Sequence, residues 1–130
     1  MSEQEKRRQN SEEMSEEIAS FPNELDHDAI GLWHIVGAAE GRFNLSGDAR
    51  TDFVRQVASA ILEAGGVPVR SGAGFEYEWF IQHQYGNSRD EIVSAIIAEW
   101  HSLPDDPIIL ASEGVWFARP VHGEKYVKMD

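Results

Sequence analysis

Few residues in this 130-residue chain can move protons near neutral pH, and all five are histidines: His27, His34, His83, His101 and His122. His83 is the best placed of them to act as a general base. It stands beside Tyr85 at the end of an aromatic stretch, and an imidazole titrates in the working range. A space-filling histidine bonded to a neighbour explains that position more simply. His27 and His34 lie about two helical turns apart, too far for one small metal ion. Asp26-His27-Asp28 has ligand-type residues, but adjacent helical side chains diverge by about 100°. Neither the HExxH nor the EF-hand pattern occurs. Cysteine is absent, so disulfides, thiolate metal sites and a cysteine nucleophile are excluded. No metal and no cofactor is expected.

The remaining chemistry is carboxylate, hydroxyl or glycine chemistry. Glu76 and Glu78 would share one strand face roughly 6–7 Å apart. Carboxylate-pair hydrolases use a similar separation. An open, wet face does not raise a carboxylate pKa, however, so the pair is better suited to solubility or to a partner. No G-x-S-x-G elbow is present. Ser46, Ser88 and Ser112 fit caps and turns. Gly72 and Gly74 lack the third glycine, the lysine and the following helix of a phosphate loop. Turn chemistry accounts for both.

These residues must be positioned by something, and the central element is residues 75–86, FEYEWFIQHQYG. Phe75, Tyr77, Trp79, Ile81, His83 and Tyr85 alternate with Glu76, Glu78, Phe80, Gln82, Gln84 and Gly86. That period of two predicts a strand with an aromatic face on the core and a polar face toward water. A helical period would scatter the glutamates through the rings. Each inner ring buries roughly 150–250 Å², so a partner layer is required. Phe80 is the exception, an aromatic among acids and amides on the outer face. Trp116 has the opposite parity from Val115 and Phe117 and also turns a ring outward. Phe80 and Trp116 with Glu76, Glu78 and Gln82 have the composition of a partner-binding patch.

The other elements follow in order. Residues 1–17 carry six acids and three bases and no aromatic residue. They are expected to form a flexible acidic segment ahead of a single domain over 18–130. Within the N-terminal region, 11–21 has helical character, with Ile18 and Phe21 able to dock and Phe21-Pro22-Asn23 ending it. A helix capped by Asp26 or Asp28 runs to about Glu40, with Ala29, Leu32, Trp33 and Val36 as its stripe. Asp48 caps a third helix, whose Phe53, Val54, Val57, Ala58, Ile61 and Leu62 face inward and which stops at Gly65-Gly66. Residues 67–70 form an edge strand, since Pro68 cannot donate to a ladder. A glycine turn at 71–74 joins it to the aromatic strand as a hairpin. Ser88 and Glu91 make a capping box for a helix with Ile92, Val93, Ile96, Ile97 and Trp100 inside. That helix should lie over Tyr77, Trp79 and Ile81. Residues 108–111 and 115–119 form a second hairpin, and a last edge segment falls near Tyr126-Val127.

The expected fold is a two-layer α+β domain. Its antiparallel sheet has about four strands, two hairpins in ββαββ order, with the N-terminal helices and the central helix packed mainly on one face. The balance of 23 acids against 11 bases gives a net charge of −12. Nucleic-acid and anionic-membrane binding are disfavoured, and a basic protein partner is favoured. Neither a secretory signal nor a spanning run is seen, so a cytoplasmic protein is expected. A non-enzymatic protein-binding module fits best: a toxin-neutralising or immunity-like protein, a chaperone, or an assembly subunit. A small enzyme using His83 and a homodimeric structural protein are the alternatives.

Overall fold

The computed structural model describes residues 2–71, 79–119 and 127–128. Mixed helix and sheet make it an α+β protein. The N-terminal helix α1, Glu3–Glu24, is longer than the 11–21 span expected, and it takes in most of residues 1–17. Ser2 caps it, its hydroxyl accepting from Glu5 N–H. Met14, Ile18, Phe21 and Leu25 form the stripe that anchors it to the main core. Pro22 lies inside its last turn rather than ending it. There Leu25 N–H reaches Pro22 O in a tightened closing turn.

The region expected to be one helix from Asp26 divides in two. Ile30–Gly31 is strand β1, and Leu32–Gly41 is helix α2. Leu32, Ile35, Val36 and Ala39 are its buried face, so Trp33 sits at the stripe's margin. Helix α3, Gly47–Glu63, buries Phe53, Val54, Val57, Ala58 and Ile61 and ends in Gly65, whose φ is +95°. Helix α4, Arg89–Ser102, starts as expected: Ser88 Oγ accepts from Glu91 N–H at 3.2 Å. It buries Val93, Ile96, Ile97 and Trp100.

Strand β2 is Val67–Ser71 and β3 is Trp79–Ile81, and they pair antiparallel with Val69 opposite Ile81. The two expected strands therefore do pair, but Ser71 belongs to β2 and lies opposite Trp79, so the register is not that of a tight 71–74 turn; residues 72–78 lie outside the described residues. The aromatic strand does not run on to Gly86. His83–Tyr85 is one 3₁₀ turn, and Gly86 follows at φ +134°. A Cβ there would also come within 2.8 Å of Glu91 Cβ. The turn carries Tyr85 into the main core, whereas continued pleating would have put it on the Ile81 face of the sheet.

Residues 108–111 are not a strand. They belong to helix α5, Pro107–Glu113, so the second expected hairpin does not form. Asp106 accepts from Ile108 N–H, and Pro107 begins the helix. An aspartate followed by proline is a helix start, and it outweighs the β-branched pair behind it. Strand β4, Trp116–Ala118, and strand β5, Val127–Lys128, complete the set.

The sheet order is β1-β4-β2-β3-β5. All neighbours are antiparallel except β3 and β5. Strand β2 is thus central, although Pro68 pointed to an edge. The ring is tolerated because Pro68 lies where the β2–β3 ladder ends: its carbonyl accepts from Gln82 N–H at 2.9 Å, and the one bond its missing N–H forgoes is the return bond of that last pair.

Register also decides which face meets the core. Ile30 and Pro68 both lie opposite Phe117, and Arg70 lies opposite Phe80. These residues share one face. Ile30 and Phe117 belong to the main core with Phe53, Ile61 and Ile96. Val69, Ile81 and Ala118 form a second, smaller cluster on the other face, with Ala29, Val67 and Trp116 against it. Ile81 therefore does not lie under Ile96 and Trp100 as expected. Phe80 points to the side first assigned to water, but that side is the one carrying the main core.

Candidate functional site

Glu76 and Glu78 lie outside the described residues. Phe80 is half-buried on the face shared with Phe117. Gln82 is engaged locally: its side chain donates to Phe80 O at 3.0 Å and accepts from Gln84 at 3.1 Å. His83 is exposed on the 3₁₀ turn and makes no hydrogen bond or ion pair with a described residue. The structure therefore does not assemble Phe80, Gln82 and Trp116 into one outer patch, since Phe80 and Trp116 take opposite faces of the sheet.

Trp116 instead belongs to a cluster at the β1 edge. Its indole meets the His34 ring edge-on at 5.5 Å, and His34 lies against Trp33 at 3.9 Å. His34 Nδ1 accepts from Gly31 N–H at 3.1 Å, serving the first turn of α2. Burial holds His34 below its usual 6.5, while Glu24 and Asp28 pull the other way. Gly31 is required by space: a Cβ would come within 2.6 Å of Trp33 and 3.0 Å of Trp116.

From this cluster Trp33 reaches into a groove of about 420 Å³ between α2 and the α4–α5 connection. Trp33, Val36, Gly37 and Glu40 follow one another along α2 and form one wall. Trp100 and Leu110 supply apolar surface, and residues 104–107 form the facing rim. That rim reads Pro-Asp-Asp-Pro, so two fixed φ angles bracket two carboxylates. Asp106 is committed to capping α5. Glu40 is committed to Arg50, whose Nη1 donates to it at 3.1 Å while the guanidinium stands 5.2 Å over the Trp100 ring. Asp105 makes no ion pair among the described residues. Trp33 is 36% exposed, high for so large a ring. A second depression, of about 440 Å³ over the first turns of α3, is lined mostly by exposed residues and has no ring. It is ordinary helix surface.

A third feature binds elements together. Arg70 donates to Glu99 at 2.7 Å and to Tyr85 at 3.0 Å, and the Tyr85 hydroxyl donates to Glu99 at 2.9 Å. Arg70 also reaches Glu113 O at the end of α5. Burial, and then the Glu99 contact, push the Tyr85 phenol up to about 12. So protected a hydroxyl is a poor acid or base, and the trio ties β2, the 3₁₀ turn, α4 and α5 together. Among the described residues no group of three or more His, Cys, Asp or Glu could hold a metal ion. No helix there is long and apolar enough to cross a membrane.

Comparison of the chain with family models, with curated proteins and with solved structures finds no match.

Trp33, Trp100 and Asp105 were missed as site residues. Both tryptophans fall on apolar helical stripes and read as core. The Pro-bracketed acids at 104–107 were the one available signal.

Proposed function

We propose that this chain is a non-enzymatic module that binds a basic protein, in the manner of an immunity protein, a chaperone or an assembly subunit. One observation carries it. A groove with indole and aliphatic surface opens beside carboxylates on a chain of net charge −12. Apolar area gives such a site its affinity, and the surrounding negative field raises the rate at which a basic partner arrives. The same reading keeps the helices mainly on the Phe117 face of the sheet. The shared core of Phe117 with residues of all five helices supports that arrangement.

The test is titration with poly-lysine and poly-glutamate of equal length, at low and at high salt. Poly-lysine should bind and weaken as salt rises, and Trp33→Ser should weaken it further. Equal binding of poly-glutamate, or indifference to salt, would remove the electrostatic basis of the proposal.

A further inference from the structure

We infer that the groove is an arginine cleft: it takes the guanidinium of an arginine on the basic partner, laid on the Trp33 indole and paired with the Asp105 carboxylate. This rests on the protein-binding reading and specifies the occupant.

Three observations lead there. The first is charge. Of the carboxylates around the groove, Glu40 is paired with Arg50 and Asp106 caps a helix, while Asp105 has no cation among the described residues. A purely aliphatic anchor would desolvate Asp105 without compensation, which is costly. The second is readiness. Pro104 and Pro107 hold the rim, and His34 packs on the Trp33 ring at 3.9 Å, so little ordering remains to be done on binding.

The third observation distinguishes arginine from lysine. The chain already performs this recognition at the next position. Arg50 lies 5.2 Å over Trp100 and donates to the Glu40 carboxylate. Trp100 lines the groove itself, and Arg50 lines a smaller pocket of about 160 Å³ that shares Trp100, Pro104 and Asp105 with it. One ring-and-carboxylate pair is thus filled from within, and Trp33 with Asp105 offers a second in the same groove. A planar guanidinium satisfies ring and carboxylate together. A lysine ammonium is a compact hydrated charge that satisfies mainly the carboxylate.

The experiment uses three blocked peptides identical except at one central residue: arginine, lysine or citrulline. Binding to the full chain is followed through the tryptophan indole N–H signals in NMR, with Trp33 assigned from Trp33→Ser. The arginine peptide should move the Trp33 signal. It should bind about tenfold more tightly than the citrulline peptide, a difference of about 1.4 kcal/mol, and severalfold more tightly than the lysine peptide. Asp105→Asn, a change at an exposed side chain, should remove most of that preference. Equal binding of arginine and lysine peptides at Trp33 would overturn the arginine assignment and leave the basic-partner reading standing. Equal binding of the citrulline peptide would overturn the assignment as well, and make the groove an apolar site. Unmoved groove signals while poly-lysine still binds would overturn the cleft but not the electrostatic partner. No binding by any basic probe would overturn both.

Discussion

Glu99 shows how much a single residue's surroundings can change its role. Helical spacing puts it on the wet side of α4, yet it accepts from both Arg70 and Tyr85. Tyr85→Phe removes one donor to Glu99 and one acceptor for Arg70 but leaves the direct ion pair. It should lower stability by about 1–2 kcal/mol in urea denaturation. Arg70→Met should cost more, because Glu99 then keeps only a neutral partner. Tyr85 should also ionise near pH 12, well above an ordinary phenol, in an ultraviolet titration. His34 gives a second pH signature. Its folded pKa lies below the ordinary 6.5, so the unfolded chain binds the proton more readily. The contribution of the neutral ring, with Nδ1 accepting from Gly31, is complete above about pH 6.5 and is lost as pH falls below it. Unfolding midpoints measured across that range should decline on the acid side, and His34→Ala should decline less.

At the scale of elements, short pieces depend on their ends. Helix α5 has only seven residues, too few to persist without a cap and tertiary contacts. Asp106→Ala should cost about 1 kcal/mol and should also weaken groove binding, because the rim is continuous with that cap. Ser88→Ala on α4 should cost a similar amount, again about 1 kcal/mol, without touching the groove. Comparing the two variants separates loss of stability from loss of the site. Gly86 is a backbone requirement, since φ is +134° with Glu91 close by. Gly86→Ala should therefore be destabilising by about 1–3 kcal/mol in thermal or urea unfolding.

For the whole molecule, net charge acts in opposite directions on folding and binding. Twelve uncompensated negative charges repel one another in the compact state, so modest added salt should raise the melting temperature. The same salt should weaken a basic probe. A protein whose melting temperature and probe affinity rose together would contradict the electrostatic account. The core is insensitive to salt: Ile96, fully buried in the main cluster, should cost about 2–5 kcal/mol when changed to alanine.

Local rules were enough for much of this chain. The Gly65-Gly66 stop, the Ser88 cap and the inward faces of α3 and α4 depend on neighbours a few residues apart, and the pairing of 69–71 with 79–81 joins segments that follow closely in sequence. The overall charge was also legible, and with it the character of a partner. Other features depended on residues far away in sequence. Alternation showed that residues 79–81 have two different faces, but not which face the helices would cover. That was decided by pairing with β2 and β4, which sets Phe80 with Phe117 and Ile81 with Val69. Pro68 could be read as an edge residue until the sheet order placed β2 in the middle. The groove needed tertiary structure altogether. Trp33, Trp100 and Asp105 come from three elements, and the apolar periodicity that marks a core residue also marks a ring at the margin of one. Periodicity records which side of an element avoids water; only assembly decides whether another element fills that side or leaves it open.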